Sequence, residues 1–311
     1  MRSFLKKTAA FLLIMAVIVL SINALYEHMD LSDKDNTNKF RSVPKGIEIC
    51  NLGASHGLLG FNYENVEDHT CFNFALVAQS LSYDKIILNH YKDHIKKGAV
   101  VFIPVSFFTL FGSDETEDAE FEEKNKRYYK FLKPSEVKEF DFETYLFTRY
   151  LRSTTDIEDL FTVLSGGTRA DFYDRWGMIA TPESAFEAAY LTYQNQIAVS
   201  RNESYERDIN ENEVEALKGI IALCNEIGAK PVLITVPVLK EFTDTINYED
   251  PEFMDDFHKI MDDIVKETGA EYHDYSCDER FCTNYMYFME LDHMNRTGAE
   301  AFTDMLLDTY L

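Results

Sequence analysis

The 311-residue chain is 46% hydrophobic and 14% aromatic, which is enough apolar material for a large folded core and excludes a generally disordered chain. Its 54 acidic and 30 basic residues leave a formal net charge of −24. So acidic a surface repels phosphate backbones, which excludes nucleic-acid binding as a class of function and indicates a well-solvated exterior.

The N terminus carries an uncharged apolar stretch at residues 8–26, preceded by Arg2, Lys6 and Lys7 and followed by acidic residues. As a helix this stretch would rise about 28 Å, enough to cross the hydrocarbon core of a bilayer. The positive-inside rule then places the rest of the chain outside the cytoplasm. The sequence predicts a signal anchor or transmembrane helix over residues 1–26, with a cleaved signal peptide as the alternative.

The first folded segment is predicted to follow a short polar stalk at residues 27–45. The apolar run IEICNL at 47–52 stops at Gly53-Ala54-Ser55-His56-Gly57, a pattern that predicts a buried strand leading into a tight turn. A second short strand with a loop is predicted over 70–78. These segments open an α/β domain that we expect to span residues 46–311.

A helix and a buried strand come next. Apolar spacing predicts a helix from Gln79 to Ile95, ended by a lysine pair and Gly98. The β-branched run at 99–108 is typical of a strand that is covered on both faces. Residues 111–205 then change character, with an acidic start and aromatic-rich segments, and predict a mostly helical insertion. Its aromatic side chains fit either its own core or a sugar-stacking surface.

Strands and helices alternate again after the insertion. The pattern predicts a helix, a strand, a helix and a last strand at 211–227, 231–238, 255–268 and 270–276. The segment from Thr297 to Glu300 has the form of a capping box before a final helix. Such alternation predicts a three-layer α/β/α domain with a parallel, flavodoxin-like sheet, whose ligands bind at the carboxyl ends of the strands.

Two segments carry side chains suited to nucleophilic chemistry. Ser55 lies just past the first strand in a glycine-rich turn, where it is a nucleophile if a base removes its proton, or a cap for the following helix. His293 precedes the last helix, with Glu290 three residues before it and Asp292 directly before it. A residue at minus three can curl back to the imidazole, so Glu290 is the predicted orienting acid and Asp292 the alternative.

These two segments, LGASHG and ELDHMNRTGAEAF, resemble the first and last motif blocks of the SGNH/GDSL hydrolase superfamily. The last block of that superfamily reads D-x-x-H, often followed by L-N-x-x-G-A, and here Glu290 stands at the position of the customary Asp. The resemblance implies that Ser55 is the nucleophile, His293 the general base and Glu290 its partner. It covers about residues 47–108 and 210–311.

The remaining motif blocks depart from the superfamily pattern. The customary G-D-S is G-A-S followed by His56, a form similar to membrane-anchored members of the DltD and AlgJ types, and His56 is expected to line the pocket. The resemblance implies that the backbone amide of Ala78 lends a donor to the oxyanion hole. The third block, G-x-N-D, is missing, so Ser106 or Asn73 is the implied stand-in, and a missing donor would cost about 10²–10³-fold in rate.

The resemblance implies a membrane-anchored, extracytoplasmic serine esterase or O-acyltransferase that acts on a cell-envelope glycan or polymer. The implied partners are an acyl donor, a glycan or polymer hydroxyl as acceptor, and a membrane-bound O-acyltransferase, with no cofactor. The alternative is a non-catalytic polysaccharide-binding or assembly protein that kept the fold and lost its oxyanion hole.

Metal and disulfide chemistry have weaker sequence signals. His90 and His94 are four residues apart on a predicted helix, but no third ligand accompanies them, and we predict no metal site. The five cysteines show no C-x-x-C spacing. Cys277 and Cys282 either pair outside the cytoplasm or remain free thiols.

Overall fold

The computed structural model describes residues 1–28, 36–112, 121–154, 157–167, 175–200 and 207–311. Their helices are α1 Arg2–His28, α2 Ser55–Gly60, α3 Leu81–Tyr91, α4 Phe121–Lys126, α5 Phe142–Tyr150, α6 Ile157–Leu164, α7 Pro182–Gln196, α8 Glu211–Ile227, α9 Lys240–Glu249, α10 Phe253–Thr268 and α11 Arg296–Tyr310. The strands are β1 Ile47–Asn51, β2 Cys71–Asn73, β3 Ile95–Pro104, β4 Lys230–Thr235 and β5 Glu271–Asp274.

The five strands form one parallel sheet in the order β2-β1-β3-β4-β5. Every neighbouring pair runs parallel. Right-handed crossovers in this order place α3, α8 and α10 on one face and α2 and α11 on the other. The helix contacts agree, since α8 packs against both α3 and α10 while α2 packs against α11. The predicted three-layer α/β/α fold with a parallel sheet is therefore confirmed.

The central strands are covered on both faces, because their side chains from Val100 to Ile103 and from Val232 to Ile234 are buried. The start of α11 differs from the sequence prediction. The predicted capping box at Thr297 is wrong, because Asn295 is the N-cap and its side chain accepts the backbone N–H of Gly298. Asparagine is among the strongest N-cap residues, and the helix starts two residues earlier than the Thr–Glu pattern suggests.

The chain divides into two compact units. The first comprises Met1–Ser42 and Glu122–Phe172, and the second, which holds the sheet, comprises Val43–Phe121 and Tyr173–Leu311. The region predicted as one insertion is thus shared between them: α5 and α6 belong to the first unit, whereas α7 belongs to the second. Among the described residues, α1 is the helix long and apolar enough to cross a membrane, with 27 residues and a mean hydropathy of 2.4 over its most apolar window.

The short helix α2 lies very close to the end of β1 at Gly57. A Cβ built on Gly57 would lie 2.3 Å from the carbonyl oxygen of Leu52, whereas one on Gly60 would meet only a valine methyl at 3.4 Å. We expect Gly57→Ala to lower the free energy of unfolding by about 1–3 kcal/mol, because backbone atoms must move apart. Gly60→Ala is the matched control in the same helix. Denaturant unfolding of both variants checks this, and equal stability of the two would contradict it.

Candidate active site

Ser55 is the first residue of α2 and lies at the carboxyl end of β1. The N-cap position of α2 is occupied by Ala54, whose methyl group cannot accept a hydrogen bond. Ser55 lies inside the helix and therefore does not serve as its cap. Gly53 has φ +114, a conformation that favours glycine. The N–H of Gly53 donates to Asp84 Oδ1 at 2.8 Å, and its carbonyl accepts from the N–H of Leu76 at 3.2 Å. The serine turn is therefore held from two directions.

The loop before α11 presents His293. Asn295 holds this loop, because its side-chain amide donates to the carbonyls of Met178, Met286 and Phe288 at 2.9–3.2 Å. A Cβ on Gly298 would lie 2.0 Å from the carbonyl oxygen of Tyr287, so the helix can approach the loop this closely only with glycine there. The N and G of the segment N-R-T-G-A thus fix the backbone that carries the histidine.

The structure brings Ser55, His293 and Glu290 together. His293 Nε2 lies 2.8 Å from Ser55 Oγ, and His293 Nδ1 makes a very short contact with Glu290 Oε1. The other oxygen of Glu290 faces the guanidinium of Arg175 at 3.4 Å. With a carboxylate at Nδ1, the proton of a neutral imidazole sits on Nδ1 and leaves Nε2 as the acceptor toward the serine. This is the geometry of a nucleophile, a base and an orienting acid.

Asp292 also faces the imidazole, from a buried position. Its Oδ1 lies 3.4 Å from His293 Nδ1, farther than the oxygen of Glu290. Its Oδ2 accepts from Gln196 Nε2 at 2.8 Å and lies 3.4 Å from His56 Nε2. Glu290 therefore makes the closer hydrogen bond, and Asp292 supplies a second negative charge that touches both histidines.

The two carboxylates change the protonation of this cluster. Burial lowers the pKa of His293, but the charge of Asp292 and the hydrogen bonds that the imidazole donates to Asp292 and Glu290 outweigh it, so the pKa lies above the usual 6.5. Burial raises the pKa of Asp292, yet the adjacent His293 holds it well below its ordinary value. His56 behaves in the opposite way, since burial lowers its pKa. At neutral pH the cluster therefore contains an ionised Asp292, a neutral His56 and a protonated His293, which accepts the serine proton only after it has lost its own.

His56 stacks on His293, with ring centroids 4.7 Å apart and ring planes inclined by 15°. Its Nδ1 lies 2.6 Å from the hydroxyl oxygen of Ser106. Because Nε2 faces the ionised Asp292, the proton of the neutral ring belongs on Nε2, and Ser106 donates to Nδ1. Ser106, one of the two implied stand-ins for the oxyanion donor, thus has its hydroxyl directed at His56.

Asn73, the other implied stand-in, has its side chain engaged behind the serine turn. Its amide nitrogen donates to the carbonyls of Gly57 and Leu58, both at 3.2 Å, and its Oδ1 accepts from Asn51 and from the N–H of Ala75. These bonds tie β2 and its loop to α2. The structure therefore gives the Asn73 side chain a structural part.

Ala78 lies in the loop after β2 with φ +49, the left-handed region that alanine adopts at a cost. The loop is attached to the serine turn by Gln79, whose side chain donates to Asp84 Oδ1 at 2.6 Å and to the carbonyl of Gly53 at 3.4 Å. We expect Ala78→Gly to raise the free energy of unfolding by up to about 1 kcal/mol, because glycine adopts this conformation without the steric penalty. Denaturant unfolding measures the change, and a destabilised variant would contradict it.

Three supporting residues were not predicted from the sequence. Asp84 is fully buried, and this burial raises its pKa to about 7 although it accepts from Gly53 and Gln79. Gln196 reaches Asp292 from α7, and Arg175 reaches Glu290. The last two come from segments outside the motif blocks, and no local pattern marks them. Asp84 left a weak signal, as a charged residue on the buried side of a predicted helix.

The contacts at this site support a hydrogen-bonded catalytic cluster better than they support a metal site. His56, Asp292 and His293 offer ligand atoms that lie within 4.8 Å of one another. A cation among them would compete with the contacts that already join the imidazoles to the carboxylates. The structure gives the pair His90 and His94 no support as metal ligands, because His94 Nδ1 lies 2.9 Å from the carbonyl oxygen of Pro44. All five cysteines are free thiols, including exposed Cys277 and buried Cys282.

Comparison with known proteins gives distant likenesses of structure. No family model and no curated protein matches the chain. A Streptococcus pneumonia structure described as a platelet activating factor is similar at a TM-score of 0.42 and 12% identity, over 96% of this chain and 99% of the other. A Bacteroides fragilis structure described as an acylhydrolase is similar at a TM-score of 0.39 and 10% identity, over 88% and 93% of the two chains. A Parabacteroides merdae structure described as a GDSL-like lipase is similar at 0.39 and 8% identity, over 86% and 97%. Likenesses this distant assign neither a family nor an activity.

Proposed function

We propose that this chain is a membrane-anchored, extracytoplasmic serine esterase or O-acyltransferase of the SGNH type. The observation that carries the proposal is the 2.8 Å approach of His293 Nε2 to Ser55 Oγ, with the carboxylates of Glu290 and Asp292 behind the imidazole. The two side chains come from segments far apart in the chain. Nucleophilic acyl transfer requires a hydroxyl within hydrogen-bond reach of a base, as these two are.

In the proposed reaction, Ser55 Oγ attacks the carbonyl carbon of an ester while its proton passes to His293 Nε2. The alcohol then leaves with that proton, and the acyl group remains on Ser55. Water or a hydroxyl of the acceptor attacks next, gives its proton to His293 and releases the serine. Glu290 keeps the imidazole in place and, with Asp292, stabilises its positive charge in both steps.

Backbone amides are the proposed donors to the oxyanion. The amide of Ser55 lies at the start of α2, and the loop of Ala78 is attached to the same turn through Gln79 and Gly53. Because the donors would be main-chain groups, the departure from the customary asparagine need not remove activity.

The substrate proposed is an acyl ester of a cell-envelope glycan or polymer, with a sugar or polyol hydroxyl as acceptor and a membrane-bound O-acyltransferase as partner. It rests on the sequence resemblance to membrane-anchored SGNH members and on α1, a candidate membrane span. An anchor would hold the site near acyl donors delivered at the membrane.

A fluorophosphonate probe tests the nucleophile directly. We expect the full-length chain, purified in detergent, to be labelled covalently, and Ser55→Ala to remove the labelling. Ser106→Ala is the matched control, a second serine of the same site whose hydroxyl contacts His56 and not His293, and it should keep the label.

A non-catalytic glycan-binding or assembly role is the second candidate. Ser106 and Asn73, the implied stand-ins for the missing donor, hydrogen-bond to His56 and to the carbonyl of Gly57, and this favours the second candidate. A folded wild-type chain that resists the probe but binds envelope polysaccharide would establish this role and overturn the esterase proposal.

A further inference from the structure

The end of α1 packs against the helical part of the first unit. The side chain of Tyr26 is fully buried and contacts Leu160, with Val163 packed beside them. The Oδ1 of Asn23 accepts the backbone N–H of Ser153 at 3.1 Å. Ser153 and the helix α6 are thus attached to the last two turns of α1.

These contacts fix the level of the attachment along α1. Asn23 lies three residues before the end of the apolar stretch at 8–26, which is about 4.5 Å along a helix axis. Glu27 follows the stretch and pairs with Arg152 at 3.3 Å and with Arg41 at 2.5 Å. If α1 spans a bilayer, the contact lies where the helix passes from hydrocarbon to headgroups.

The helices α5 and α6 expose large apolar side chains in this same unit. We call these residues the apolar insertion face: Phe142, Leu146 and Tyr150 of α5, and Phe161 and Leu164 of α6. Their exposed fractions are 67%, 39%, 55%, 64% and 58%. The α5 residues recur every four positions and so share one side of the helix. Leu160, next to Phe161, is the residue that packs on Tyr26.

We infer that the apolar insertion face binds the lipid bilayer surface, with its aromatic and leucine side chains inserted at the headgroup boundary next to α1. This inference rests on the proposed membrane anchor. Amphipathic helices that lie in a membrane interface bury their apolar face about 5–10 Å deep, and aromatic residues are enriched at that level. Both helices adjoin the contact with α1 in the chain, because Ser153 follows the end of α5 by three residues and Leu160 lies within α6. The bilayer around α1 is therefore the apolar environment proposed for this face.

The charges around the face indicate which lipids it tolerates. Asp141, Glu143 and Glu158 flank the exposed side chains, and the whole chain carries a net charge of −24. Arg149, the basic residue of α5, already donates to the backbone carbonyls of Tyr129 and Lys130. Anionic headgroups therefore offer no net attraction, and the affinity comes from buried apolar area. Insertion into zwitterionic phosphatidylcholine is expected to be at least as deep as into membranes that contain phosphatidylglycerol.

Nitroxide labels on the full-length chain in phosphatidylcholine vesicles test the inference. Single cysteines are placed at Phe161 and Leu146, in a background in which exposed Cys277 is serine and whose residual labelling is subtracted. A label at Leu20, within the apolar stretch of α1, reports on the anchor, and a label at Glu123, an exposed residue of the same unit, reports on water. Power saturation then compares accessibility to oxygen with accessibility to a water-soluble nickel chelate.

We expect the oxygen-to-nickel ratio at 146 and 161 to be several-fold higher than at 123 and to approach the ratio at 20. A water-like ratio at 146 and 161, with a lipid-like ratio at 20, would overturn the inference and leave the anchor intact. A water-like ratio at 20 would refute the anchor itself. Labels at 146 and 161 shielded from both reagents would show that a protein, and not lipid, covers the face.

Discussion

Replacing His293 by glutamine is expected to lower kcat for hydrolysis of a short activated ester by about 10⁴-fold or more. The imidazole touches Ser55 Oγ through Nε2, and in a triad the loss of the base costs about as much as the loss of the nucleophile. Glutamine fills part of the same space but cannot carry the proton. Stopped assays with p-nitrophenyl acetate, on chains shown to be folded by circular dichroism, measure the change.

His56→Gln is the matched control for that substitution. His56 stacks on His293 and is the more deeply buried of the two rings, but its nitrogens face Ser106 and Asp292. We expect its replacement to lower kcat by no more than about tenfold. A larger loss of kcat in His56→Gln than in His293→Gln would show that His56 carries the proton, and it would refute the proposed mechanism.

The layered fold was predictable because its signals are local. The predicted strand at 47–52 and the predicted helix at 211–227 lie within one residue of the observed elements, since apolar runs and glycine stops depend on neighbouring residues. The helix α9 at Lys240–Glu249 was not predicted, because the acidic and polar residues that dominate it resemble a loop. Its apolar contacts, at Phe242 and Ile246, are few but fully buried.

The site was predictable only where the chain repeats a known spacing. The interval from Glu290 to His293 lets the carboxylate curl back to Nδ1, and that is where the structure places it. The contact from Gln196 to Asp292 joins residues 96 positions apart and follows from the packing of α7, which no spacing encodes. Likewise, the burial of Asp84 under the serine turn depends on the completed fold.

Two conservative substitutions distinguish the roles of Glu290 and Asp292. Glu290→Gln is expected to lower kcat by about 10²–10⁴-fold, because Nδ1 loses its carboxylate partner and the imidazole loses both its orientation and its charge compensation. Asp292→Asn keeps the closer hydrogen bond and removes a buried charge 3.4 Å from Nδ1. Its main effect should therefore be on protonation, and it is measured by the pH dependence of kcat/KM.

The direction of that effect follows from the raised pKa of His293. The base acts in its neutral form, so the activity of the wild type should rise with pH through a midpoint above the usual 6.5. The charge of Asp292 is the largest of the influences that raise this pKa, so its removal should move the midpoint to lower pH, by about 1–2 units. At pH 6 the Asn variant then keeps a larger fraction of its own maximal rate than the wild type does. A midpoint that stays unchanged in Asp292→Asn but falls in Glu290→Gln would show that Glu290 alone sets the basicity of the imidazole.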